Sequence, residues 1–499
     1  MIKLLLNFIL VLIFFIVTKI NAQTITGRVL EKEKVPVAYA TVQISKKYGV
    51  LTNEEGHFLI ETKKFKPTDT VTISYLGYQN LKIILKDFKS KDYFLKEDVN
   101  TLLEVKISNK KLSVKEILEK IKENASKNYA TTNIKQQIFH RTTNTSNFKR
   151  FEFELTKSNL IKKKDRKKLN KSIDSLINDM VNIPSKDYVD KLVEFYKLKD
   201  TSTLKVIKAT RLINKKNDKS EEIVQDLFMN TVVKHLDSNE TYKVKTGWFK
   251  IEDSLKVKIL FDKDTDKDSY KDSSKVKNLI SYYKSVIAEN SITEKSNLNF
   301  IFENKKYKYE LKETSVLDNE LIYVIAFKPK KRSAKFTGTF YVNAYDYAVV
   351  KADFKYAKNR SGKGINLKFL FGVKYKNNLS NTSVLYKKNV DGLYSLQFIK
   401  HTDGTYIYAH RPFKFTKNRK NKSEEKKMMK IDVLMELSQK SKDELFFINE
   451  TKLTKSEFNK IKPKLKYKIV YIPKYNPEIW KGYNVINPVE EIKNYDTGK

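Results

Sequence analysis

Five histidines, His57, His140, His235, His401 and His410, are the side chains of this 499-residue chain best suited to metal ligation or general-base work near neutral pH. A catalytic zinc would need two of them and a carboxylate at fixed spacing around one ion. None stands in an H-x-x-E or H-E-x-x-H arrangement, so the spacing spells no metallopeptidase. Cysteine is absent, which removes thiolate metal sites, disulfide frameworks and a lipoprotein anchor. "DKDTDKD" sets Asp262, Asp264, Asp266 and Asp268 on alternate positions, as calcium loops begin. The sixth and twelfth positions hold Lys267 and Ser273 where such a loop needs glycine and glutamate, so the expectation is a solvated acidic loop. "NRSGKG" (359–364) lacks phosphate-loop spacing and reads as a glycine-bearing hairpin turn; no G-x-S-x-G is present. The expected entries for catalytic residue, cofactor and metal are all none. Paired carboxylates for glycoside chemistry depend on distance in space, which spacing along the chain does not report.

The elements that would position any site carry a formal charge of +40. The basic residues are mostly lysine, spread along the chain and alternating with apolar residues, as in "KYKYELK" (306–312). Nucleic-acid surfaces concentrate charge and use arginine forks, so no nucleic-acid partner is expected, while contact with anionic lipid or polysaccharide stays open. Lys3, the apolar run Leu4–Val17 and Ala22 have the layout of a signal peptide over 1–22, which predicts export to the periplasm or outer membrane. No later run is long and apolar enough for a membrane helix.

Residues 23–108 hold short β-rich runs: "TITGRVL", "YATVQIS", "HFLIET", "DTVTISYLGY", "NLKIIL" and "LLEVKIS". Within them "GVLTNEEGHFLIE" (49–61) reads as a β-hairpin turning at Asn53–Gly56, with Val50 and Phe58 on its apolar faces. The order of Gly27, Pro36, Ala40, Gly56, Phe58, Gly77 and Tyr78 in these motifs resembles the carboxypeptidase-regulatory-like (transthyretin-like) domain of exported Gram-negative proteins. That resemblance covers residues 23–108 only and implies a seven-stranded β-sandwich and an envelope location, not an activity. Two departures stand out: Asn53 where aspartate is commoner, and Tyr39 where glycine often sits.

Residues 109–295 change to a helical period. Val114, Ile117, Leu118 and Ile121 share one face behind a Ser113/Glu116 capping box, and further helices are predicted over 167–182, 220–237 and 276–290. From 296 to 470 about ten alternating runs predict one large curved antiparallel sheet or partial barrel. Among them, "INLKFLFGVKY" (365–375) and "AVVKADFKY" (348–356) read as strands. "FTGTFYVNAYDYAVVKADFKY" (336–356) resembles half-barrel folds that handle lipoproteins and lipids. The tail, 471–499, is expected to run extended, with Tyr471, Tyr475, Trp480 and Tyr483 clamping it onto the sheet.

The fold class expected is therefore mainly β with a helical insert. The function expected is a non-enzymatic envelope protein, with the sandwich as adaptor and the apolar face of the large sheet binding lipid, lipoprotein or an outer-membrane protein partner. The alternative is a small outer-membrane β-barrel carrying a periplasmic sandwich, and a third reading is a hydrolase without a recognisable motif.

Overall fold

A computed structural model describes residues 24–45, 48–98, 112–130, 133–178, 181, 183–213, 220–257, 273–389 and 391–495. The expected signal peptide, the predicted strand at 102–108 and the Asp262–Asp268 loop lie outside these residues. The chain divides into two compact units, neither of them continuous in sequence. The first joins the chain up to Ile107 to Thr314–Ile322 and Asn476–Lys493; the second holds Ser108–Glu313, Tyr323–Tyr475 and Asn494–Lys499.

Seven strands build the first unit: β1 (Thr24–Leu30), β2 (Thr41–Ile44), β3 (Tyr48–Leu51), β4 (His57–Glu61), β5 (Thr70–Ser74), β6 (Leu81–Ile84) and β7 (Asp92–Phe94). They form two sheets, ordered β4-β1-β7 and β3-β2-β5-β6, as the sandwich resemblance implied. Alternation along each strand turns Val29, Val42, Ile44, Phe58, Ile60 and Ile73 into a shared core. The stretch 49–61 is not a hairpin: β3 pairs with β2 and β4 with β1, so the Asn53–Gly56 turn carries the chain from one sheet to the other. Alternation marks which side chains face inward, but it does not say which strands pair across a turn. The tail also departs from expectation. Residues 476–493 group with this unit, where Trp480 is buried and the Asn484 amide donates to the Gly49 carbonyl at 3.3 Å.

In the second unit helix α1 (Val114–Asn128) starts at the expected capping box and buries Ile117, Leu118 and Ile121. Helices α2 (Lys163–Asn178), α3 (Ser220–Thr231) and α4 (Val276–Glu289) follow where the helical period placed them. The strands between them were less legible. Strands β8 (Ile134–Ser158), β9 (Ser185–Leu198) and β10 (Thr201–Ile213) lie inside the segment read as helical and belong to the same sheet as everything after 296. The remaining strands are β11 (Thr241–Thr246), β12 (Phe249–Lys256), β13 (Ser273–Lys275), β14 (Tyr307–Leu311), β15 (Ser315–Leu317), β16 (Glu320–Pro329), β17 (Phe336–Asn343), β18 (Val349–Tyr356), β19 (Gly364–Leu367), β20 (Val373–Lys388), β21 (Tyr394–Lys417), β22 (Met428–Lys452), β23 (Lys466–Lys468) and β24 (Val470–Ile472).

The large sheet has 15 strands, and its main path runs β14-β16-β17-β18-β20-β21-β22-β8-β9-β10-β24. It is not closed into a barrel. Pairing is antiparallel except at the β10–β24 edge, which is parallel. Strands β8, β21 and β22, of 25, 24 and 25 residues, form its centre. At this length each spans about 80 Å, and register shifts along β8–β22 and β20–β21 add local bend and twist. "INLKFLFGVKY" is not one strand. Its centre is a single helical turn, α5 (Lys368–Phe371), ended by Gly372 in the left-handed region at φ 63, and β19 folds back on β20. A Cβ at Gly372 would lie 2.2 Å from the His410 carbonyl oxygen, so only glycine fits the turn that breaks the alternation.

Candidate functional site

Alternation along the three central strands assigns one face of the large sheet three consecutive zones. At one end Ile399, Leu445 and Val384 are fully or almost fully buried, and helix α4 sets Tyr283 against Phe195 and His140. At the other end Phe151, Phe153, Leu155, Phe415 and Ile431 pack with Ile173 and Ile177 of α2 and Leu227 of α3. Between these two helix-covered cores the facing residues become polar. One row across the sheet reads Thr382, His401, Asp443, Thr142, and the next Ser380, Asp403, Ser441, Asn144, Asp187.

Asp443 is the hub of this belt. The Thr142 hydroxyl donates to its Oδ1 at 2.7 Å, and His140 Nε2 lies 2.8 Å from the same oxygen. His140 Nδ1 faces the Tyr283 hydroxyl at 3.3 Å, and its ring stacks on Tyr282 at 5.2 Å between centroids. Burial, aided by the positive Lys191, lowers the His140 pKa, so the ring is neutral at neutral pH. Burial alone would raise Asp443, but hydrogen bonds from His140 and Thr142 hold it below the usual carboxylate range. Burial also lowers Lys191, against the pull of Asp443, Asp190 and Asp187.

His401 sits beside Asp443 in the same row. Its Nδ1 lies 2.6 Å from the Thr382 hydroxyl and its Nε2 2.7 Å from Asp403 Oδ2. Burial would lower its pKa, but the bond to Asp403 outweighs that and raises it. Side-chain exposure climbs along the belt, from 4% at His140 and 20% at Asp443 to 32% at His401 and 42% at Asp403. The water-accessible end is thus a carboxylate and an imidazole. On the opposite face Arg141 grips Asp190 through two bonds of 2.9 and 2.7 Å, both side chains nearly inaccessible.

Hydroxyl, imidazole and carboxylate in the order Thr382, His401, Asp403 form the chain of groups that activates a nucleophile. Thr382 is only 2% exposed, however, so the hydroxyl is buried while the carboxylate faces water, the reverse of what a substrate would need. The arrangement can offer hydrogen bonds to a ligand lying along the belt.

In sequence the histidines stand singly; the fold brings His140 and His401 to either side of one carboxylate contributed by β22, 303 residues from His140. That convergence has no local signal, because it depends on strand order. His235 hydrogen-bonds the Thr231 carbonyl, and His410 pairs with Asp432 at 3.4 Å. His57 lies in the first unit with Glu55 and Glu490, the one group of three among the described residues able to hold a metal ion. Other roles account for its carboxylates: Glu55 accepts from the Glu490 amide at 3.0 Å, and Glu490 pairs with Lys493 at 2.7 Å.

The residues singled out for the sandwich resemblance all lie in the first unit. Ala40 and Phe58 are fully buried, and Gly27 leaves room for the Phe58 ring, which would stand 2.8 Å from any Cβ there. Pro36 bridges Leu30, Gly56 and Gly77 adopt φ 80 and 86, and Tyr78 has its pKa raised by burial and by a hydrogen bond with Glu31. Residues 25–107 match the CarboxypepD_reg-like domain family, and the match is confined to that segment. No curated protein matches the chain. No helix of the described residues is long and apolar enough to cross a membrane, which leaves strand-based crossing unaddressed.

Proposed function

We propose that the protein is an exported cell-envelope protein without catalytic turnover, in which the sandwich is an adaptor and the large sheet binds a partner polypeptide. The observation that carries this reading is the half-buried belt of hydroxyl, amide, imidazole and carboxylate groups between two helix-covered cores. The earlier expectation of an apolar binding face shifts accordingly. The apolar parts of this face are covered by α2, α3 and α4, and the part left over suits hydrogen bonds to backbone and polar side chains rather than acyl tails. A membrane barrel would need its two edge strands paired, and the path from β14 to β24 leaves them apart.

The test is a photo-reactive amino acid at Gln439, on the belt, introduced in cells, with the same probe at exposed Lys149 as control. The expected result is one envelope polypeptide trapped from position 439 and not from 149. Equal trapping at both positions, or none at 439, would sink the proposal. Turnover of an ester, peptide or glycoside panel that Thr382→Val abolishes would replace it with a hydrolase.

A further inference from the structure

Outside the belt, the second unit presents two hairpin ends whose apolar side chains point into solvent. In the β11–β12 turn Trp248 is 99% exposed, followed by Phe249 and Ile251, both more than half exposed. In the β19–α5–β20 turn Phe369 is 100% exposed, and Leu370 and Ile365 are open as well. Single exposed apolar residues need no explanation, but this many at adjoining tips does. The two tips are joined. Arg411 donates from Nε to the Thr246 hydroxyl and from one terminal nitrogen to the Thr246 carbonyl, both at 3.0 Å, and from the other to the Phe371 carbonyl at 2.7 Å. Phe249 meets the edge of Phe371 at 5.4 Å. The exposure is therefore held in place by a cation bound to the backbone of both turns.

The charge around the tips is of one sign. Residues 245–251 and 363–376 contain Lys245, Lys250, Lys363, Lys368, Lys374 and Lys376 and no carboxylate. An aromatic and aliphatic tip inside a lysine ring is the arrangement that inserts at a lipid interface, with rings at headgroup depth and ammonium groups on anionic phosphates. A protein partner of ordinary composition would present carboxylates and apolar groups interleaved. A bilayer surface presents a layer of negative charge over an apolar interior, which is the order of chemistries these tips meet from rim to apex.

We infer that the paired tips formed by Trp248, Phe249, Phe369 and Leu370 dock the protein on an anionic lipid membrane. This goes beyond partner binding on the belt and stands or falls independently of it.

Tryptophan fluorescence tests the inference, because the chain has two tryptophans and the other, Trp480, is only 4% exposed. The chain from Gln23 onward is titrated with phosphatidylglycerol-containing vesicles and, separately, with phosphatidylcholine vesicles, with no partner present. The expected result is a blue shift of emission and co-flotation with the anionic vesicles, weakening as salt rises. The double variant Phe369→Ser/Leu370→Ser, both positions being solvent-exposed and so harmless to folding, should weaken vesicle binding at least about tenfold. A folded protein whose emission does not move with anionic vesicles overturns the inference, as does equal binding to both vesicle types or unchanged binding by the double variant. Concentration-dependent dimerisation that shields Trp248 without any vesicle would assign the tips to a second copy of the chain instead.

Discussion

At the scale of single residues, the two departures from the sandwich pattern acquire physical reasons. Tyr39 has φ 61, in the left-handed region where glycine is the default. Asn53, 1% exposed, uses both ends of its amide: Oδ1 accepts from the Glu55 and His57 amides at 3.0 and 2.8 Å, and Nδ2 donates to the Pro488 carbonyl at 3.1 Å. Aspartate could do the first but not the second. Asn53→Asp should therefore cost about 1–3 kcal/mol at neutral pH. The denaturant midpoint would fall without a change in slope, and the loss would shrink below about pH 4, where a protonated aspartate can donate again. The two belt histidines should respond to pH in opposite senses. His401 has a folded pKa raised above its unfolded 6.5, so its contribution is fully present below pH 6.5 and is lost as pH rises through the folded value. The stability gap between parent and His401→Gln should be wider near about pH 5.5 than near about pH 8. His140 has a folded pKa below 6.5, so its contribution is present above 6.5 and is lost as pH falls through the folded value. For His140→Gln the gap should instead narrow on acidification, and unfolding curves at the two pH values check both signs.

At the scale of elements, the helices were legible and the longest strands were not. Ser113, Glu116 and the 3.6-residue spacing of Ile117, Leu118 and Ile121 act within one element, so α1 starts where the sequence says it does. In β8 the alternation of Phe151, Phe153 and Leu155 is plain, but its middle reads "RTTNTSN", polar on both faces, and such a stretch looks like a loop until its neighbours are known. What holds it is pairing to β22 and β9 along nearly its whole length. Within that pairing Arg141 on β8 and Asp190 on β9 are a buried ion pair whose charges satisfy each other. Arg141→Met should destabilise by about 3–5 kcal/mol, because it leaves the Asp190 carboxylate buried without its partner. Arg141→Met/Asp190→Leu should recover part of that loss, and equilibrium unfolding of the single and double variants checks both. Phe153→Ala, at the other core, should cost about 3–5 kcal/mol through the cavity it leaves among α2, α3 and the sheet.

At the scale of the whole molecule, the first unit is assembled from three separated pieces of chain. A fragment of residues 24–107 lacks Trp480, the Pro488 acceptor for Asn53 and the Asn484 bond to Gly49. It should melt at a lower temperature alone than with a peptide of residues 476–493 added, and no change on adding the peptide would count against this assembly. Composition, the order of the sandwich motifs and the period of each helix are local properties, and they sufficed for the mainly β class, the front sandwich and α1 to α4. The pairing partners of β3 and β4, the entry of β8 to β10 into the sheet, the destination of the tail and the meeting of His140 and His401 at Asp443 depend on contacts between residues far apart in sequence. Side-chain alternation says that a strand has two faces. Which strands lie beside it, and therefore which side chains share a row, is settled by packing and backbone hydrogen bonding across the assembled sheet.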